Sequence, residues 1–123
     1  MNILYIPFLT DTKTACSRVR HCVQARVIEN ECYVAMAGPV GDLPRVKNTD
    51  IQYAQSAVLT PCDFAFPNIG VKSEATTNTE MILVTDVDLS ILDKLRHSGK
   101  VQNLRNRRSD AHQLSVAELM SKH

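Results

Sequence analysis

Residues 17–38 have the sequence SRVRHCVQARVIENECYVAMAG, and this stretch decides the fold of the chain. Its first half places five residues at helical spacing: Val19, Cys22, Val23, Arg26 and Val27. Its second half is a short apolar run, 32–37, which Gly38 closes. The pattern predicts a helix that ends near Asn30 and leads directly into a buried strand.

The residues before this stretch predict a first strand and the start of the helix. Residues 3–8 form a short apolar run with β-branched and aromatic side chains, which is typical of a buried strand. Thr12 or Thr14 can then cap the helix by accepting a hydrogen bond from a backbone N–H group. Arg26 and Glu29 are three residues apart, so they are expected to pair on one helix face.

The residues after this stretch predict two more strands and a second helix. Residues 54–61 are one strand candidate, and 80–87, EMILVTDV, are the clearest one. The latter run is nearly continuous in apolar character, so we expect both of its faces to be covered. The turn-rich stretches 38–50 and 63–78 are predicted to be loops.

A helix over 89–97 is predicted next, with Asp88 as its N-cap and Gly99 at its end. Leu89, Leu92 and Leu95 are expected to face inward. Strands that alternate with helices give an α/β domain.

Composition limits the possible functions. The chain has 123 residues, 44% of them apolar, and this is enough for one ordinary domain. Charge is balanced at 14 Lys plus Arg against 13 Asp plus Glu, so net charge gives no reason to expect a nucleic-acid or membrane partner. There is no apolar run of about 20 residues and no signal-peptide pattern, so a cytoplasmic location is predicted.

Five blocks of sequence together carry a resemblance to a known family. They are ILYIPFLTD at 3–11, the stretch at 17–38, DIQYAQSAVLTPCD at 50–63, NTEMILVTDVD at 78–88 and GKVQNLRNRRSD at 99–110. In this order they resemble the C-terminal half of nitrilase-superfamily carbon-nitrogen hydrolases. Within the superfamily, the chain resembles the hydrolase part of proteins that also carry an acetyltransferase domain. The resemblance covers residues 1–110, whereas 111–123 form a divergent tail.

The resemblance implies a fold and an activity. The fold would be the C-terminal portion of a four-layer αββα sandwich, and the complete enzyme would hydrolyse non-peptide C–N bonds of amides or nitriles without a cofactor. The family's catalytic cysteine, lysine and glutamates lie upstream of the strand at 3–8, so we expect no catalytic residue in this chain and no activity from it alone.

Roles for a few residues also follow from the resemblance. Phe8, Thr10 and Asp11 would form part of the substrate pocket, because ligands of open α/β sheets gather beyond the carboxyl ends of strands. A solvated turn that caps the helix is an equally good interpretation of these three residues. Arg26 and Glu29 would brace the joint between the helix and the following strand.

The chain's own cysteines offer an alternative nucleophile. Cys16 lies near a predicted helix N-terminus beside Lys13, and both features lower the pKa of a thiol, but no base for it is evident. Cys22 and Cys32 are expected to be buried, and Cys62 is expected to be more exposed.

Acidic and imidazole side chains give little support for a site. Asp86 and Asp88 would share one face of an extended chain, although Asp88 is better explained as a cap. His21 and His97 lack a second ligand at helical spacing, and the cysteines lack Cys-x-x-Cys spacing, so no metal site is expected.

The sequence is compatible with several kinds of binding partner. An incomplete sandwich would leave an apolar sheet face uncovered, so the chain would self-associate or bind a complementary N-terminal half, as one half of a split amidohydrolase or as a fragment without an independent role. A different class of function is an anion or nucleic-acid binding module that uses the basic segment 94–108.

Overall fold

The computed structural model describes residues 1–47, 51–100, 102–103, 105–108 and 110–111. Four strands form one sheet: β1 (Ile3–Pro7), β2 (Tyr33–Ala37), β3 (Ala57–Leu59) and β4 (Val71–Glu74). They lie in the order β1-β2-β3-β4. β1 and β2 are parallel, whereas β2 with β3 and β3 with β4 are antiparallel. The parallel pair needs a long crossover, and the first helix supplies it.

Two helices accompany the sheet, α1 (Lys13–Asn30) and α2 (Leu89–Ser98). Thr12 is the N-cap of α1, because its hydroxyl accepts a hydrogen bond from the backbone N–H of Ala15 at 3.1 Å. Glu31 ends α1 in the left-handed conformation, with φ of 48°. Asp88 caps α2 and Gly99 follows its last residue, so both predicted helices are confirmed.

Each face of the sheet has its own hydrophobic cluster. On one face, Val23 and Val27 of α1 pack against Val34, Met36 and Leu59 of the sheet. On the other face, Tyr33 packs against α2 in a cluster with Phe66, Val87, Leu92 and Leu95. The side chains of a strand alternate between faces, so α1 covers the face of Val34 and Met36, and α2 covers one end of the opposite face.

The structure corrects several of the predicted strands. Residues 80–87 belong to no strand of the described sheet, and Ile82 and Val84 are 88% and 83% exposed rather than covered. β4 lies inside the predicted loop 63–78, and β3 is much shorter than 54–61. An apolar run makes a strand only where a neighbouring strand accepts its backbone hydrogen bonds, and those neighbours are set by tertiary structure.

Smaller corrections concern burial. Tyr5 in the middle of β1 is 72% exposed, because it lies on the sheet face that α1 does not cover. Leu89 is 44% exposed, whereas Leu92 and Leu95 are buried as predicted. Cys22 is exposed, while Cys32 is buried and Cys62 exposed as predicted.

Other predictions lie partly outside the described residues. The loop 38–50 is described up to residue 47 and contains neither helix nor strand there, while 48–50 lie outside. Of the divergent tail 111–123, only Ala111 is described. No helix in the described part of the chain is both long and apolar enough to span a bilayer.

Candidate pocket on the open face of the sheet

A cavity of about 790 Å³ lies against the sheet face that α1 does not cover. Tyr5, Ala35 and Val58 are neighbours in the register of the first three strands, and all three line it. Residues 75–83 supply further lining from outside the sheet, including Thr76, Thr79, Glu80, Met81 and Leu83. The cavity therefore lies between the sheet and residues 75–83. The second half of this stretch belongs to the segment 80–87, which the sequence predicts as the clearest strand.

The carboxyl ends of the two parallel strands form one side of this cavity. Pro7 ends β1, Ala37 ends β2, and Gly38 follows at the edge. A Cβ atom on Gly38 would come within 2.7 Å of both Ala54 and the Phe8 ring, so only glycine fits at this close approach. The Gly38 N–H donates to the Ser56 hydroxyl at 3.2 Å, and this bond joins the end of β2 to the segment before β3.

The described lining of the cavity lacks the thiol and the cation that the resemblance implies for C–N hydrolysis. Among the described residues that line it, Glu80 is the only charged one, and there is no cysteine, histidine or lysine. Attack on an amide or nitrile carbon requires a nucleophile, a base and a group that stabilises the developing negative charge. The described lining can thus contribute walls, hydroxyl groups and one carboxylate to a site, but no thiol nucleophile and no cation.

The three residues predicted to line a substrate pocket lie beside this cavity rather than on its surface. Phe8 is half-buried and packs against the core cluster on the α1 side. Thr10 is buried, and its hydroxyl donates to the backbone carbonyl of Tyr53 at 2.5 Å, while Tyr53 N–H donates to the Thr10 carbonyl at 2.8 Å. Asp11 is exposed at the start of the turn before α1. Contact between these residues and a substrate stays a prediction.

The predicted pair of Arg26 and Glu29 is present on α1. The Arg26 guanidinium donates to the Glu29 carboxylate at 3.0 Å, and both side chains are more than half exposed. Asn30 donates to the Arg26 backbone carbonyl at 2.8 Å, so the last turn of α1 has local polar bonds of its own. These contacts stay within the helix, and a bracing role toward β2 stays a prediction.

Cys16, Cys32 and Cys62 lack the surroundings of an activated nucleophile among the described residues. Cys16 is buried in α1. Burial raises the pKa of the Cys32 thiol, which keeps it protonated and a poor nucleophile. Cys62 is exposed beside Asp63, but the Asp63 carboxylate already accepts backbone N–H groups of Phe64 at 2.7 Å and Lys100 at 2.9 Å.

The carboxylate pair and the histidines do not form a site either. Asp88 binds Ser90, whose hydroxyl and N–H lie 2.6 and 2.9 Å from it, and these bonds lower the pKa of Asp88. Asp86 makes no hydrogen bond with the described residues. In the described ranges no three His, Cys, Asp or Glu side chains lie close enough together to hold a metal ion.

Several arginines of the basic segment bind groups within the chain. Arg96 donates to the carbonyls of Met1 and Glu31 and to the Asn2 side chain. Arg107 donates to the Asn30 side chain, and Arg108 pairs with Asp110 at 3.0 Å. Sequence patterns did not indicate these particular partners, because they are distant in the chain for Arg96 and Arg107. Binding of an anion or nucleic acid by this segment stays an untested prediction.

The described architecture is that of the carbon-nitrogen hydrolases. The crystal structure of a carbon-nitrogen hydrolase from Helicobacter pylori G27 superposes with a TM-score of 0.62, at 20% identity, over 88% of this chain and 38% of that one. At this level of identity, the likeness shows the fold.

Sequence comparison gives a nearer relative. The chain is 44% identical over 112 residues to the protein named Probable hydrolase YhcX from Bacillus subtilis (strain 168), which is 91% of this chain and 22% of that protein. No family model matches the chain. The resemblance to the carbon-nitrogen hydrolases that the five sequence blocks predicted is confirmed, and the chain corresponds to about a fifth of the length of its curated relative.

Proposed function

We propose that this chain is part of a carbon-nitrogen hydrolase that acts on non-peptide C–N bonds of the amide or nitrile class. The observation that carries the proposal is the 44% identity to a probable hydrolase over 91% of the chain. The fold agrees with it, because a solved carbon-nitrogen hydrolase superposes over 88% of the chain. The predicted location of this protein is the cytoplasm.

The chain contributes scaffold to that enzyme and does not catalyse the reaction alone. Cys16 and Cys32 are buried, the carboxylate beside the exposed Cys62 already accepts two hydrogen bonds, and the described lining of the cavity on the open sheet face holds no thiol. The catalytic cysteine, lysine and glutamate are supplied by another portion of the hydrolase domain. That portion covers the open face around Tyr5, whose side chain is largely exposed here.

The test is an assay of the purified chain against small aliphatic amides and nitriles, alone and after addition of a second polypeptide. That polypeptide is YhcX without the segment that matches this chain. We expect no turnover from either polypeptide alone, and turnover when the two are mixed. The control is the mixture in which the cysteine that we propose as the nucleophile of the added portion is replaced by serine.

One result would contradict the proposal. That result is turnover of an amide by this chain alone, if the variant Cys16→Ser abolishes the turnover. It would show that Cys16 is the nucleophile. Iodoacetamide labelling gives a separate readout, since Cys16 is buried in α1 and we expect it to react more slowly than the exposed Cys22 and Cys62.

A further inference from the structure

A short segment before β3, residues 53–56, connects parts of the chain that surround the cavity. The Ser56 hydroxyl accepts a hydrogen bond from the Gly38 N–H at the end of β2. The Ala54 carbonyl accepts one from the N–H of Asn78, at 2.9 Å, in the loop after β4. Gly38, Ala54 and Ser56 line the cavity, and so do residues before and after Asn78. The segment is therefore placed to decide where the loop after β4 lies.

The Gln55 side chain bonds in two directions from this segment. Its Nε2 donates to the Ala75 carbonyl at 3.0 Å, and its Oε1 accepts from the Arg20 guanidinium at 3.2 Å. The opposite orientation of the amide would set donor against donor and acceptor against acceptor. Arg20, which is only 18% exposed, also donates to the Glu74 carboxylate at 2.6 Å. Helix α1 thus holds both Gln55 and the last residue of β4.

Ala75 is the point at which the chain leaves β4 and enters the cavity wall. It is 6% exposed, its N–H donates to the Ser56 carbonyl at 2.8 Å, and its carbonyl accepts from Gln55. The residues that follow, 76–79, are exposed. Among the described residues, the hydrogen bonds between this wall and the segment 53–56 are made at Ala75 and at the Asn78 N–H.

The sheet carries small and apolar side chains on the side of the cavity that faces this wall. Ala35, Ala37 and Val58 lie on the open face and line the cavity. Such a surface fits the aliphatic part of a small amide or nitrile. The position of residues 75–79 then limits how bulky that aliphatic part can be, and a single methylene group in an apolar pocket changes discrimination about tenfold or more.

We propose that Arg20 and Gln55 are positioning residues of the hydrolase, which fix residues 75–79 as a wall of the cavity and thereby limit the size of the substrate. Neither residue lines the cavity, so both act through the wall. This role rests on the proposed function, because it requires a substrate in the cavity. Without the Gln55 amide, the carbonyl of the buried Ala75 loses this donor and the wall is anchored less firmly.

Amide hydrogen exchange of the full chain tests whether Gln55 anchors the wall. Gln55→Leu keeps a side chain of similar size and removes both hydrogen bonds. We expect it to speed exchange of the Ala75 and Asn78 amides about fivefold, the equivalent of one net hydrogen bond, with a much smaller change in β2. The matched control Gln24→Leu replaces a half-buried glutamine of α1 that does not line the cavity, and it should leave both amides unchanged. Equal acceleration in β2 and in the wall would indicate a loss of stability alone and would overturn the proposal.

Arg20→Met tests whether α1 holds the wall through Gln55. We expect it to speed exchange of the same two amides. The double variant Arg20→Met with Gln55→Leu should have nearly the effect of the larger single change, because both changes break one connection. The matched control is Arg26→Met, since the described partner of the Arg26 side chain, Glu29, lies on the same helix. Effects that add fully would show that the two residues act independently, and would overturn the role of Arg20.

Hydrolysis by the mixture with the YhcX portion tests the effect on substrate size. Gln55→Leu should raise KM for propionamide and leave kcat almost unchanged. The ratio of kcat/KM for propionamide to that for hexanamide should fall about tenfold, because a loosened wall admits the longer chain. A loss of folded protein would lower kcat for both amides alike and leave KM and the ratio as they are, so these quantities separate positioning from stability.

The two kinds of measurement also separate this proposal from the proposed function. If the unaltered mixture hydrolyses no amide or nitrile while Gln55→Leu speeds exchange at Ala75 and Asn78, the proposed function fails and the fixing of the wall stands. If the mixture is active but Gln55→Leu changes neither KM nor the ratio between the two amides, the function is retained and the positioning role is overturned.

Discussion

At the scale of single residues, helical spacing identified the right elements but not always the right face. Val19, Val23 and Val27 recur every four residues and form the side of α1 that packs on the sheet. Cys22 precedes Val23 by one position, which rotates its side chain by roughly 100° to the exposed side. The sequence alone could not decide between these adjacent rows, because the position of the sheet selects the row.

The leucines of α2 also differ in burial, and unfolding experiments can measure the effect of that difference. Leu92 is fully buried, whereas Leu89, in the first turn of the helix, is 44% exposed. Removing a fully buried leucine side chain loses burial and leaves a cavity, so we expect Leu92→Ala to lower the free energy of unfolding by about 3 kcal/mol. Leu89→Ala, the matched control, should lower it by less than about 1 kcal/mol. Urea denaturation followed by circular dichroism measures both.

Equal losses in the two variants would contradict this distinction. They would mean that Leu89 is as well packed as Leu92 in solution. A second check is the urea dependence of unfolding, which should keep the same slope in both variants because the surface exposed on unfolding hardly changes.

At the scale of elements, strands were harder to predict than helices. The α1 cap and end depend on nearby residues, such as the Thr12 hydroxyl and the turn at Glu31, so the sequence carries their signals locally. β4 has the sequence VKSE, and only its pairing with β3 makes it a strand. Residues 80–87 have the opposite character, with strong local strand propensity and no partner in the described sheet. Strand pairing depends on tertiary structure, so local strand propensity missed β4 and wrongly predicted a strand at 80–87.

The cap of α2 predicts a dependence of stability on pH. Hydrogen bonds from Ser90 lower the pKa of Asp88, so the carboxylate stabilises the folded chain above its ordinary pKa of about 4. This stabilisation is lost as pH falls through the lower, folded-state pKa. We therefore expect Asp88→Ala to lower the melting temperature at neutral pH, and the difference from the unaltered chain to shrink below about pH 4.

The control for this prediction is Asp86→Ala, two residues earlier. Asp86 is exposed and forms no hydrogen bond with the described residues, so its removal should have little effect on melting at any pH. Differential scanning calorimetry from pH 7 to 3 measures all three proteins. A difference for Asp88→Ala that stays constant over this range would show that its charge has no part in the cap.

At the scale of the whole molecule, the sequence predicted the class of fold and a resemblance to one family, because five separate blocks matched that family in one order. It did not predict the cavity between the sheet and residues 75–83, since that cavity depends on where an unpaired segment lies. Phe8, Thr10 and Asp11 illustrate the limit. Their place after β1 was correct, but the bonds between Thr10 and Tyr53 direct that loop beside the cavity rather than into it.

Arg96 joins three distant parts of the chain. From α2 its guanidinium donates to the carbonyl of Met1 at 2.5 Å, to the Asn2 side chain at 2.8 Å and to the carbonyl of Glu31 at 3.2 Å. These groups lie just before β1 and at the turn between α1 and β2. We expect Arg96→Ala to lower the free energy of unfolding by about 2 kcal/mol, because charged hydrogen bonds are lost and the Glu31 carbonyl loses its partner.

The effect of Arg96→Ala should be local as well as global. Amide exchange should become faster in β1, whose first residue directly follows Asn2, and less so in β3. Lys94→Ala is the matched control, since Lys94 is an exposed cation on the same helix and its side chain makes no hydrogen bond with the described residues. Exchange in β1 that rises equally in both variants would show that positive charge on α2, rather than the three bonds of Arg96, holds the N-terminal strand in place.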